Sequence, residues 1–159
     1  MMMRFTRLAR DDRGASIIEL ALVAPILASL LIGMVDLSRA YSSKLLLEQA
    51  AQRSIEKVQQ YQASSSTPTL IKAETVAAAK AAGFTGATDS DVTVDFWLEC
   101  NGVRSADYES TCAAGQTYGR WVSVDVQGTF TPMFRSRRWP GANSDGTFTL
   151  HGKAGMRTQ

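Results

Sequence analysis

The longest apolar run of the chain lies within residues 13–36, RGASIIELALVAPILASLLIGMVD. Between Ala15 and Val35 its only charged residue is Glu19 and its only proline is Pro25. A helix rises about 1.5 Å per residue, so this run would extend roughly 30 Å, the thickness of a bilayer core. A buried core helix is the alternative, but a chain of 159 residues has too little mass to surround a helix that is apolar on every face. The run therefore predicts a transmembrane helix.

The basic excess of the chain precedes this helix. The formal net charge is +2, and residues 1–14 alone carry four arginines against two aspartates, which leaves the rest balanced. A balanced folded part argues against a nucleic-acid-binding domain, and the length excludes a large two-domain enzyme. Basic residues before a span hold that end in the cytoplasm. The sequence therefore predicts a single-pass protein whose C-terminal part faces outward.

The pattern after the apolar run is amphipathic. Apolar residues recur at steps of three and four from Leu47 to Tyr61, and no glycine or proline interrupts residues 36–62. One helix from about residue 15 to 61 is the simplest interpretation. A loop at residues 63–69 precedes a second helix, which Gly83 ends.

The period changes from helical to two after residue 90. Alternating apolar and polar residues predict antiparallel strands over three runs: 92–98, 121–130 and 147–151. Ser144-Asp145-Gly146 forms a turn before the last of them. The predicted fold class is α+β, with a long N-terminal helix, a second helix and a small antiparallel sheet.

The two cysteines, Cys100 and Cys112, lie between two predicted strands. A disulfide is the default pairing if this part of the chain faces an oxidising compartment. Free thiols and a metal site are the alternatives. The metal site is disfavoured because His151 is the only histidine and no CxxC spacing occurs.

The chain has no motif for catalysis or for binding a cofactor. It lacks a glycine-rich phosphate loop, a nucleophile elbow and a metal-binding helix motif, so we expect no enzyme, cofactor or metal. Arg135, Arg137 and Arg138 beside Trp139 could contact phospholipid, DNA or acidic groups of a partner. A solvated loop is the expectation for this segment.

Glu19 is the residue of the apolar run that most needs an explanation. A carboxylate within a membrane costs free energy, so it indicates a function or a partner. The alternative is a glutamate that lies at the interface or is protonated.

The residues around Glu19 resemble the type III signal of type IV pilin-like proteins. In both, basic residues precede a glycine, and the fifth residue after it, within an apolar helix, is glutamate. The resemblance implies that a prepilin peptidase cuts between Gly14 and Ala15. It also implies that Glu19, the fifth residue of the mature chain, pairs with the Ala15 amine of a neighbouring subunit.

The following residues are similar to the TadE-like family, minor pseudopilins of the bacterial Tad (Flp-type) pilus. Residues 19–25, ELALVAP, carry the glutamate and a proline six residues later, and residues 30–41, LLIGMVDLSRAY, carry the Gly…Asp segment. Leu20 departs from the family, which usually has an aromatic residue there. The close resemblance covers about residues 13–55.

The resemblance implies a pilin-like fold with three parts: a leader at 1–14, a span at 15–36 and an outer domain at 37–159. The expected location is the inner membrane, with the outer domain periplasmic or carried into a surface pilus. The expected partners are the prepilin peptidase, other pilins and pseudopilins, the inner-membrane assembly platform and membrane lipid. Pro25 either kinks the helix for docking or is a tolerated membrane proline.

An ordinary secretory signal is the alternative explanation of the N-terminus. Small residues at Ser38 and Ala40 permit a cut that leaves Tyr41 as the first residue of an exported binding module. The length of the apolar run and Glu19 argue against this reading. A third possibility is an anchored protein with an uncut leader.

Overall fold

The structure, a computed structural model, describes residues 12–60, 67–105 and 107–158. Its elements are α1 Asp12–Gln60, α2 Thr67–Ala81, β1 Val92–Cys100, β2 Val103–Ser105, β3 Tyr118–Phe130 and β4 Phe148–Arg157. A short 3-10 turn, Asp89–Asp91, precedes β1. The predicted α+β class is confirmed. Most of the predicted leader, residues 1–11, lies outside the described residues.

The chain divides into two units, Met1–Arg39 and Ala40–Gln159. In the first unit the described element is the beginning of α1. The second unit contains the end of α1, all of α2 and the sheet. It also contains the hydrophobic core, whose buried residues run from Leu47 to Val126.

The four strands form one antiparallel sheet in the order β2-β1-β3-β4. The register aligns Val92 with Val126 and Val126 with Gly152, so even-numbered positions of the three long strands share one face. This face supplies the sheet side of the core: Val92, Val94, Phe96, Val122, Val124, Val126, Leu150, Ala154 and Met156. The alternation in the sequence therefore identified the buried face.

The prediction from the sequence missed two features of the strands. Asn101 and Gly102, both with positive φ (49° and 80°), connect β1 to the short β2 as a two-residue hairpin. An Asn-Gly pair is the usual signal for such a turn. β4 continues to Arg157, beyond the predicted end at residue 151. Gly152 and Gly155 hide its alternation because glycine scores as neither apolar nor polar.

The two helices of the second unit are joined by polar contacts as well as by the core. The hydroxyls of Ser54 and Thr75 lie 2.8 Å apart and are almost completely buried, and each also bonds to a carbonyl of its own helix. Lys57 forms an ion pair with Glu74 at the exposed edge. Gly83, with φ 101°, ends the second helix as predicted.

The helix α1 lies directly on the sheet at two glycines. A Cβ added to Gly152 would lie 2.2 Å from the carbonyl carbon of Leu47 and 2.5 Å from the amide nitrogen of Glu48. A Cβ on Gly128 would lie 3.0 Å from Leu47 Cδ1 of α1 and 2.5 Å from the ring of Phe84, which follows α2. Leu47 itself is 0% exposed. The position of α1 against the sheet thus requires a strand residue without a side chain.

Replacing Gly152 with alanine is expected to destabilise the second unit by about 1–3 kcal/mol, the usual cost of overpacking a core. The new methyl group would meet helix backbone, which cannot rotate away as a side chain can. Chemical denaturation of the full chain in detergent measures the change in the free energy of unfolding.

Gly155→Ala is the matched control in the same strand. Its Cβ would meet its nearest neighbour, the Val122 carbonyl oxygen, at an ordinary 3.4 Å, and the residue is exposed. We expect a change within about 0.5 kcal/mol for this variant. Equal effects of the two alanines would contradict the close contact.

Candidate functional site

The first described turns of α1 contain the residues to which the sequence assigned a function. Gly14 and Ala15 both lie within this helix. The backbone at the predicted cut is therefore helical and not extended.

Glu19 lies one turn after Ala15 on the same helix, and its side chain is exposed. Within the described residues it has no ion pair or hydrogen bond. Its neighbours Ile18 and Leu20 are 64% and 65% exposed. A single carboxylate therefore stands among apolar side chains that this chain does not cover.

The apolar run is exposed along almost all of its described length. It is long and apolar enough to cross a membrane, and none of its most apolar stretch is buried within the protein. The alternative of a buried core helix is therefore wrong. The exposed large side chains of the run are Ile17, Ile18, Leu20, Leu22, Val23, Ile26, Leu27, Leu30, Leu31, Met34 and Val35.

Pro25 lies inside α1, and the helix continues through it. Proline has no N–H, so the Ala21 carbonyl loses its normal partner. The hydroxyl of Ser29 donates to the Pro25 carbonyl at 2.7 Å. The kink remains a prediction. Further along, Asp36 and Arg39 form an ion pair at 3.4 Å just after the apolar run.

The cysteines lie in the second unit. Cys100 and Cys112 form a disulfide with a Cα–Cα distance of 5.6 Å, so the predicted pairing is confirmed. It ties the end of β1 to the segment before β3. In the chain-entropy model a loop of this size contributes about 3 kcal/mol. Among the described residues, no group of three or more His, Cys, Asp or Glu is placed to hold a metal ion.

The sheet face opposite the helices carries a cation–aromatic cluster that the sequence analysis missed. Trp97 and Trp121 are paired across β1 and β3, with ring centroids 6.1 Å apart and planes within 7°. The Arg104 guanidinium lies 4.4 Å from the centre of the Trp97 ring and also pairs with Asp95. Both tryptophans occupy odd-numbered strand positions, so the alternation already placed them on the outer face.

Asp125 is the centre of a second charged group on this outer face. Its carboxylate lies 2.9 Å from Lys153 Nζ and 3.0 Å from His151 Nδ1. Partial burial raises the pKa of Asp125, but the hydrogen bonds from Lys153 and His151 outweigh it and hold the pKa below the ordinary 3.8. These contacts join β3 to β4.

One family model matches the N-terminal part of the chain. The family model described as TadE-like protein matches residues 14–55, so the resemblance is confirmed over that stretch. No curated protein and no solved structure matches the chain. The family match indicates involvement in Tad pilus systems, with other components of those systems as partners.

The second unit is expected to lose stability in acid, because protonation of Asp125 removes its contacts with His151 and Lys153. Because its pKa is lowered in the folded chain, its contribution is complete above pH 3.8 and is lost as the pH falls through the folded pKa. The difference in unfolding free energy between the wild type and Asp125→Asn should therefore shrink below that pH. Thermal denaturation followed by near-UV circular dichroism measures it. A difference that grows with acid would contradict the assignment.

Proposed function

We propose that this protein is a minor pseudopilin that takes part in assembly of a Tad (Flp-type) pilus. In this proposal a prepilin peptidase cuts between Gly14 and Ala15, and the mature protein is a priming, tip or base component. The observation that carries the proposal is Glu19, a lone carboxylate in an uncovered apolar helix within the stretch that matches the family.

The proposed membrane anchor follows from the apolar environment that the side chains of the run require. Its side chains are exposed in the chain alone, and only a bilayer or the apolar helices of other subunits can cover them without water. Four arginines precede the run, which favours a cytoplasmic N-terminus and a periplasmic outer unit.

Cleavage would supply a positively charged group with which Glu19 can pair. The new α-amino group at Ala15 is one helical turn from Glu19, and helix side chains lean toward the N-terminus. The carboxylate can therefore reach its own amine or that of a neighbouring subunit. Burial of either charge alone in an apolar assembly is costly, whereas the paired charges offset much of that cost. Cleavage and assembly are thus coupled in this proposal.

The peptidase would first have to open α1 around Gly14. Gly14 lies within the helix, and a protease requires an extended backbone. Glycine favours this opening because it is the residue that loses most freedom in a helix. The leader removed by cleavage carries a side-chain charge of +2, so the side chains of the mature protein have a net charge of zero.

The outer unit has a structural role in this proposal and no catalytic one. Its disulfide suits an oxidising compartment, and its helices and sheet share one hydrophobic core. The exported-module alternative would release this unit by a cut after Ala40. The N-terminus of the mature protein separates the two proposals.

Mass spectrometry of the mature N-terminus tests the processing step in cells with and without the peptidase. We expect Ala15 as the first residue only when the peptidase is present. Tyr41 would support the exported module, and an uncut N-terminus in both strains would refute processing. Gly14→Leu should block the cut, because a bulky side chain replaces the glycine beside the scissile bond. Gly33→Ala, whose Cβ would meet nothing within 4 Å, should be cut normally.

Replacing Glu19 with glutamine tests the assembly step separately. The side chain keeps its shape and loses its charge, so cleavage should continue while incorporation into the pilus falls about tenfold or more, as expected for loss of one buried charge pair. Quantitative immunoblots of sheared pili and of membranes measure the two pools. Glu56→Gln, an exposed carboxylate later on α1, is the control and should assemble normally. Normal assembly of Glu19→Gln would contradict the pairing.

A further inference from the structure

The connection between β3 and β4 contains an unusual surface segment. Residues 133–139, MFRSRRW, combine three arginines with three large apolar side chains, and Asp145 is the only acid between residues 131 and 147. We call residues 133–139 the basic–aromatic loop. It lies far outside the stretch that matches the family.

The side chains of this loop point into solvent. All except that of Ser136 are exposed, and the apolar ones are 59% (Met133), 61% (Phe134) and 54% (Trp139) exposed. Large apolar side chains clustered at one surface mark an interaction site more often than chance exposure does. Their alternation with arginines restricts the kind of partner.

The loop has a folded backbone, in which the amide of Trp139 donates to the Ser136 carbonyl and the amide of Arg138 donates to the Ser136 hydroxyl, both at 3.3 Å. Gly146, with φ 80°, lies so close behind it that an added Cβ would be 3.0 Å from the Ser136 amide nitrogen. Asn143 donates to the hydroxyls of Thr147 and Thr149, and Asp145 accepts from both the amide and the hydroxyl of Thr147. The aromatic and basic groups are therefore displayed on a folded turn.

The loop lies at the end of the sheet where α1 makes its first buried contact. Leu47 touches Gly128 and Gly152, which are two residues before the end of β3 and four after the start of β4.

We propose that the basic–aromatic loop binds the surface of an anionic phospholipid bilayer. The guanidinium groups of Arg135, Arg137 and Arg138 would contact lipid phosphates, which they fit as two-pronged donors. Phe134 and Trp139 would enter the interface, where aromatic rings gain most from a region that is apolar on one side and polar on the other. The inference goes beyond pilus assembly and rests on the membrane anchoring proposed above.

A lipid surface explains more of the loop than an acidic protein or a nucleic acid does. Acidic groups of a partner would satisfy the arginines and leave three exposed apolar side chains unexplained. A bilayer interface accepts both kinds of group in one layer. Each arginine near an anionic surface strengthens binding by roughly a factor of five, so three of them give a clear lipid dependence.

The test uses the full chain inserted in nanodiscs that contain brominated phosphatidylcholine, with or without 30% brominated phosphatidylglycerol. Bromine quenches tryptophan fluorescence at short range. The Trp139 contribution is the difference between the wild type and Trp139→Phe, since Trp97 and Trp121 are common to both. We expect Trp139 to be quenched about twofold more in the anionic discs than in the neutral ones.

Two charge variants separate specific contact from overall charge. Arg135→Ala, Arg137→Ala and Arg138→Ala together should reduce quenching in anionic discs to the neutral level. The control removes three positive charges from the helices, Arg53→Ala, Lys72→Ala and Lys80→Ala, and should keep the full quenching. Salt at 1 M, where the Debye length is about 3 Å, should act like the arginine variant.

Two outcomes would overturn the inference. If Trp139 is unquenched in both discs, or equally quenched in both, anionic lipid is not the partner. Crosslinking of the loop to a protein in cells would then indicate a protein partner. Insertion of the chain into the discs is measured independently by co-purification. Failed insertion refutes the anchoring proposal itself, whereas insertion without lipid-dependent quenching refutes the loop inference alone.

Discussion

Water cannot solvate the first part of α1 without a large free-energy cost, and the rest of the protein follows from that constraint. Apart from the half-buried Ile32, the side chains from Ile17 to Val35 are exposed, and the most apolar stretch of the helix is not buried within the chain. Transfer of such a helix from water to lipid or to other apolar helices is strongly favourable. The same preference makes Glu19 the most informative residue of the run, because the medium that suits its neighbours does not suit a lone carboxylate.

The second part of α1 meets a different requirement in the outer unit. There the helix buries Leu47, Ala50, Ala51 and Ile55 against α2 and the sheet. The contact at Gly152 brings helix backbone onto strand backbone, which a side chain of any size would prevent. One helix is thus apolar on all sides in one unit and amphipathic in the other, and its sequence changes pattern between them.

The limits of sequence-based prediction can be traced to particular residues. The two helices, the positions of the three long strands, the disulfide partners and the family resemblance were all predicted, because each depends on a local pattern or on a short motif. β2 was missed although Asn101-Gly102 marks its hairpin, since a three-residue strand carries too little alternation. β4 was cut short at its glycines. The Arg104–Trp97–Trp121 cluster was missed because side chains on the outer face of a sheet usually contact water and not one another.

The sequence by itself determined that residues 15–35 form an uncovered apolar helix, that Glu19 is its single charge and that a basic segment precedes it. These properties are local, so no folded context is needed to see them. Only the tertiary structure decided that Gly152 and Gly128 allow α1 to pack directly on the sheet. It also decided that Asp125 contacts His151 and Lys153, and that the exposed side chains of residues 133–139 lie on a folded turn. Each of these depends on strand register and chain crossing, which bring together residues far apart in sequence and are fixed only when the core packs.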